Sequence, residues 1–138
     1  VTLVPGTPVE VAGLTVTPVA VNHGVPAMGF LVDDGTTAIA YSADTAETTE
    51  LWELARANPR LRAVLLECAF PNSMTWLAEV SFHLTPRTFD ALVRRFLKDV
   101  PVCPVLMKAR FRAETVAELR ALELPNLRFP LTGEVMEF

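Results

Sequence analysis

Apolar residues rich in Val and Thr dominate from Val9 to Val21, and Gly13 splits them into two short runs, VEVA and LTVTPVAV. That pattern predicts two strands joined by a tight turn. The loop NHGVP follows, its Gly24 and Pro26 opposing regular structure, and MGFLVDD reads as a third strand. Asp33-Asp34-Gly35 is a hairpin signal with TTAIAYS as the returning strand. After Ser42 the period becomes helical, with Leu51, Leu54 and Ala55 on one stripe. Asp44 and Glu47 have the spacing of a capping box, so a helix is predicted from near Thr45 to Ala57, ended by Asn58-Pro59.

LRAVLLECAF is an almost unbroken apolar run, as expected of a strand buried on both faces of a sheet. PNSMTWLAEV opens a short helical stretch, and a further helix starts after His83, where Thr85 caps, Pro86 takes the first turn, and Phe89, Leu92, Val93, Phe96 and Leu97 form the buried stripe. PVCPVLM is a strand that its prolines make short or place at an edge. ETVAELRAL predicts the last helix, and LRFPL and EVMEF predict terminal strands. Strands come first as a block and then alternate with helices, which implies an α/β unit with helices covering one face of its sheet. No repeat or linker divides residues 1–138, which read as one domain or half-domain.

With 138 residues, 51% hydrophobic and 20% charged, the chain has the composition of a folded domain rather than a disordered one. Its net charge of −4 argues against a nucleic-acid backbone as partner. A small anionic ligand would then need a local positive centre, such as a metal. Cys68 and Cys103 each sit inside an apolar run, which suits buried reduced thiols. No run approaches the roughly 18 apolar residues of a membrane span, and the expectation is a soluble protein, cytoplasmic or, had a signal peptide been removed before Val1, periplasmic.

Three polar residues follow strand-like runs: His23, Asp44 and His83. Taken singly, His23 reads as a loop histidine bonded to backbone, or as a metal ligand held by stiff Gly-Pro backbone. Asp44 reads as a helix cap, or as a carboxylate between two cations. His83 precedes a helix whose dipole disfavours the imidazolium, and it reads as a cap, a metal ligand, or a donor of a proton to a leaving alkoxide. Glu67 nearly ends a buried strand and requires a partner, either an arginine or a histidine that it orients. Phe82, Phe89, Phe96, Trp52 and Trp76 read as core rather than as a stacking platform, and Arg94 and Arg95 as a solvated face.

The segments VNHGVPAMGFLVDD, YSADTAETTELWELA, LLECAFPNSMTWLAEVSFHLTP and PVLMKARFRAETVAELRAL together resemble the second half of the class II cyclic-nucleotide phosphodiesterases. These belong to the metallo-β-lactamase-fold superfamily, and the same loops are similar to those of its tRNA 3′-end processing ribonucleases. The resemblance implies the C-terminal half of an αββα sandwich. It makes His23 a metal ligand, Asp44 the aspartate bridging two divalent ions, usually zinc, and His83 the histidine beside the reacting phosphate. The implied reaction converts a 3′,5′-cyclic nucleotide such as cyclic AMP to a nucleoside 5′-monophosphate. Two departures stand out. No His-x-His-x-Asp-His string occurs, and Leu106 of VLMK stands where the family has its last ligand histidine. Lys108 beside it reads as a contact for a phosphate oxygen or as a surface lysine. The alternative implied by Leu106 is a non-catalytic scaffold that has lost its metal site. Half of such a fold also leaves a sheet face to be covered by the missing N-terminal half or by a second copy of the chain.

Overall fold

The computed structural model describes residues 2–131 and 133–138. Six strands lie in chain order in one sheet: β1 (Val9–Val11), β2 (Leu14–Val21), β3 (Ala27–Asp33), β4 (Ala38–Tyr41), β5 (Leu61–Glu67) and β6 (Val102–Val105). β1 to β4 form an antiparallel meander, and β4, β5 and β6 run parallel. Ala12 and Gly13 join β1 to β2 at φ 51° and 83°, the left-handed pair that matches strand twist in a two-residue hairpin. Between β3 and β4, Asp34 accepts hydrogen bonds from the backbone N–H groups of Thr36 and Thr37, each at 2.7 Å.

Four helices follow: α1 (Glu50–Ala57), α2 (Thr75–Ser81), α3 (Pro86–Leu92) and α4 (Arg112–Ala121). α3 opens on a Thr85–Thr88 capping box with Pro86 in its first turn. It runs on into a π-helical turn, Val93–Leu97, which the sequence period does not foretell. α1 starts five residues later than predicted, with Thr49 rather than Asp44 at its N-cap position. The preceding backbone is taken by tertiary contacts, since Thr45 gives its N–H to Glu67 and its hydroxyl to the carbonyl of Asn22.

The two predicted terminal strands do not form among the described residues. Leu127 makes a single parallel bridge to Val102, flanked by Val102 N–H to Asn126 O and Arg128 N–H to Val102 O, both 2.9 Å. Pro104 has no N–H to continue that ladder, so the segment leaves the sheet edge.

The core lies on one face of the sheet, where Leu31, Ala38, Ala40, Val64 and Leu66 meet Leu51, Trp52, Phe89, Leu97 and Leu119 from the helices. Each leucine, valine or phenylalanine among them contributes about 1.5–3 kcal/mol on burial. Trp76 and Phe82, expected in the core, are instead 62% and 40% exposed. Close approach of α1 to the sheet depends on Gly29, because a Cβ there would meet Leu51 Cδ2 at 2.6 Å and the Tyr41 carbonyl oxygen at 2.8 Å. On the opposite face Val32, Ile39, Tyr41 and Leu65 are only half-buried. With Leu14 they line an apolar groove of about 390 Å³.

At the end of the sheet away from the β4–β5–β6 carboxyl termini, buried Asp33 clamps two connections together. It accepts from Arg60 Nη2 and Asn58 Nδ2, each at 2.7 Å, and from Gly35 N–H at 2.7 Å. The Arg60 bond, then those of Asn58 and Gly35, hold its carboxyl well below the usual value of 3.8.

Two outcomes are expected. Gly29→Ala should destabilise the fold by about 1–3 kcal/mol through overpacking; denaturant melts at unchanged m-value would show it, and a neutral result would mean α1 is free to shift. Because the folded pKa of Asp33 is depressed, its stabilisation is present above pH 3.8 and is lost as pH falls further. Thermal melts of Asp33→Asn should therefore show a lower melting temperature at neutral pH and a shallower fall on acidification than the parent protein.

Candidate functional site

Strand directions decide which loops meet. β2 is antiparallel to β3, and β3 to β4, so β2 points the same way as β4, β5 and β6. The connections after those four strands therefore gather at one end of the sheet, the usual place for a ligand in an open α/β sheet. They carry His23, Asp44, the segment after Glu67, and Lys108, with His83 delivered between them by the end of α2.

Glu67 is fully buried at the end of β5. Oε1 accepts from the Thr45 N–H at 3.2 Å and from His83 Nδ1, while Oε2 accepts from the Leu84 N–H at 2.7 Å. Ser42 Oγ in turn accepts the Glu67 N–H at 2.9 Å. Three charge-assisted hydrogen bonds satisfy a carboxylate that would otherwise be costly to bury. The partner foreseen for Glu67 as arginine or histidine is thus the histidine.

These bonds set the tautomers. His83 spends Nδ1 on Glu67, and His23 spends Nδ1 on the Phe82 carbonyl at 3.0 Å. Each ring is left with Nε2 as its outward donor atom. The two imidazoles lie 5.1 Å apart between centroids, edge to face. Asp44, half-buried, adds its carboxylate: ligand atoms of Asp44, Glu67 and His83 all lie within 4.8 Å of one another. Glu67 has its oxygens occupied and serves as a positioning group, and His23, next to the His83 ring, is not among the side chains that converge within that distance.

Imidazole nitrogen and carboxylate oxygen are zinc-type donors, and three protein donors are the lower count for a catalytic zinc. Among the described residues that converge, only Asp44 and His83 are left to give a ligand atom, and His23 lies beside His83 outside that cluster, so these residues do not by themselves complete a zinc site. Leu106 adds no donor. It is 40% exposed with φ 59°. Ala43 and Phe82, immediately before Asp44 and His83, have φ 53° and 58°. Non-glycine residues in this left-handed region cost about 1 kcal/mol or more each and cluster at functional sites.

Lys108 reaches this end of the sheet but does not touch the two histidines directly. Its Nζ stands 5.9 Å from the Phe70 ring centroid, and that ring packs edge to face on His83 at 5.5 Å. Burial pushes the Cys68 thiol far up, so it stays neutral and offers no thiolate. Phe70 and the Phe82 carbonyl had no signal in the sequence, since one looks like any apolar residue and the other is backbone. Glu67 did carry one, as a carboxylate inside an apolar strand.

A family model described as Beta-lactamase superfamily domain matches residues 1–102, and the chain belongs to that superfamily. Solved structures agree on the fold. The metallo-β-lactamase-fold protein YhfI of Bacillus subtilis is similar with TM-score 0.76 and 13% identity, over 94% of this chain and 52% of its own. Unliganded yeast PDE1 gives 0.72 and 19%, over 92% and 46%, and the short form of human tRNase Z gives 0.61 and 15%, over 74% and 39%. The chain thus spans about half the length of the first two proteins. No curated protein matches it by sequence. Among the described residues no helix is long and apolar enough to cross a membrane.

Replacing Glu67 should be expensive. Glu67→Ala strands the N–H groups of Thr45 and Leu84 and is expected to cost about 3–5 kcal/mol. Glu67→Gln turns an N–H₂ towards at least one of the same donors and should cost about 1–3 kcal/mol. Hydrogen exchange at Thr45 and Leu84 should accelerate more in both variants than exchange at the α1–sheet core; uniform acceleration would contradict the local role.

Proposed function

We propose that this chain supplies one side of a divalent-metal phosphodiesterase centre acting on 3′,5′-cyclic nucleotides. The observations that carry the reading are the convergence of Asp44 and His83 on Glu67 within 4.8 Å and the pairing of His23 with His83, each ring with Nδ1 bonded to the protein and so with Nε2 left for a ligand. In this reading His23 and Asp44 hold the metal, zinc by the chemistry of the donors. When bound, the ion would act as a Lewis acid on the phosphate and activate a water.

The chain's own groups divide the remaining work. Glu67 orients the His83 ring and compensates positive charge on it, leaving Nε2 to hold a proton for the departing alkoxide. Lys108 offers a point charge to a phosphate oxygen from behind Phe70. Resemblance to the cyclic-nucleotide phosphodiesterases in the SADT, ECAFPN and HLTP segments supports the substrate class, as does similarity to yeast PDE1. Further metal ligands are expected from outside these 138 residues, since the neighbours are about twice as long. The open apolar face of the sheet, with Leu14, Val32, Ile39, Tyr41 and Leu65, suits a second sheet carrying them.

Metal analysis and turnover of the full-length protein test this together. Two equivalents of zinc and conversion of cyclic AMP to 5′-AMP are expected. His23→Ala and Asp44→Ala should lose metal, whereas His83→Ala should keep it while kcat falls about 100-fold or more. A folded, metal-free parent protein would overturn the proposal in favour of a scaffold that has lost its centre.

A further inference from the structure

Residues 69–72 leave the end of β5 just after Glu67 and Cys68 and reach several neighbours at once. Ala69 O accepts the Lys108 N–H at 3.0 Å, and Phe70 donates its N–H to Leu84 O at 3.3 Å. Pro71 has no N–H, and its ring holds φ at −70°, so the backbone enters the short 3₁₀ turn Asn72–Met74 in one direction. Asn72 then bonds on two sides. Its N–H donates to Glu118 Oε2 of α4 at 2.8 Å, and its Oδ1 accepts the Arg87 N–H at 3.0 Å. Arg87 is the second residue of α3, where an N–H has no partner inside the helix. Thr85 caps the N–H of Thr88, and Asn72 supplies the acceptor for the one Thr85 leaves over.

The connection that carries His83 runs between α2 and α3, and it is held from two directions. Glu67 takes His83 Nδ1 and the Leu84 N–H, while Asn72 takes the first turn of α3 a few residues on. We infer that Asn72, itself held by Glu118, is a positioning residue for His83: it fixes where α3 begins and so the direction from which the imidazole meets Glu67. What this does for catalysis rests on the phosphodiesterase reading, in which His83 carries the proton for the leaving group; the geometry stands without it. The side chain is required for its acceptor oxygen. Alanine at 72 would leave the Arg87 N–H to water and let the first turn of α3 fray, and residues 83–85 would lose one of their two anchors. Aspartate would keep the acceptor in the same place, with a negative charge that the start of a helix tolerates.

Asn72→Ala, Asn72→Asp and Glu118→Ala test this in the full-length, metal-free protein, with two readouts that a purely structural role would not move. Hydrogen exchange at the Leu84 N–H, relative to Trp52 and Ala55 in α1, should accelerate about fivefold in Asn72→Ala and in Glu118→Ala, the loss expected for one hydrogen bond. Long-range ¹H–¹⁵N correlation should show His83 losing part of its Nδ1–H tautomer in the same two variants. Asn72→Asp should bring both readouts back to within about twofold of the parent, because the acceptor is restored. Parent-like Leu84 exchange and parent-like His83 signals in Asn72→Ala would overturn the assignment, even if the melting temperature fell, since Asn72 would then only stabilise α3. Equal losses in Asn72→Ala and Asn72→Asp would overturn it too. Neither readout uses metal or substrate, so failure here leaves the phosphodiesterase reading standing, and a protein that hydrolyses no cyclic nucleotide leaves the role of Asn72 standing.

Discussion

A single buried carboxylate holds the functional end of this molecule together. Glu67 closes β5, and its oxygens take hydrogen bonds from the connection after β4, from the backbone following α2, and from the ring of His83. The donors come from two segments far apart in sequence, around Thr45 and at His83–Leu84, and backbone bonds such as Ala46 N–H to Asn22 O and Phe70 N–H to Leu84 O add to the tie. The desolvation of a carboxylate at 0% exposure is large. It is offset only while all three donors are present, so the loops keep one arrangement or the carboxylate loses its compensation. The same bond that anchors the loops chooses which nitrogen of His83 faces outward.

The sheet supplies the frame on which that anchor acts. Parallel β4, β5 and β6, with β2 co-directional through the meander, send four connections to one end. Gly29 lets Leu51 nest on β3 and so fixes α1, whose leading segment bears Asp44. Left-handed residues Ala43, Phe82 and Leu106 sit in three of these connections, and the packed sheet bears their cost.

Much of this was legible in the residues. The Asp-Asp-Gly and Ala-Gly turns, the Thr-Pro start of α3 and the prolines of β6 act through local backbone chemistry, and local chemistry is what a sequence displays. The start of α1 was not legible, because Asp44 and Glu47 have the spacing of a cap while the tertiary bond from Thr45 to Glu67 prevents one. The terminal strands failed for a related reason: LRFPL has the apolar pattern, but Pro104 in the neighbouring strand lacks the N–H to continue the pairing. Trp76 and Phe82 show that an aromatic residue at regular spacing is not thereby in the core: α2 buries Ala78 rather than Trp76, and Phe82 lies just past its end in the left-handed conformation. In the site, His23, Asp44 and His83 stood out singly as ambiguous and collectively through their order; the identity of Glu67's partner needed the fold.

The central claim is that Glu67 fixes His83 with its proton on Nδ1, leaving Nε2 as the nitrogen offered to a ligand. Long-range ¹H–¹⁵N correlation of the two histidines in metal-free protein, at mildly alkaline pH, measures this directly. Both rings should show the Nδ1–H tautomer, and in Glu67→Gln the preference should weaken for His83 while His23, held by the Phe82 carbonyl, keeps it. An Nε2–H tautomer for His83 in the parent protein, or an unchanged His83 in Glu67→Gln, would contradict the account.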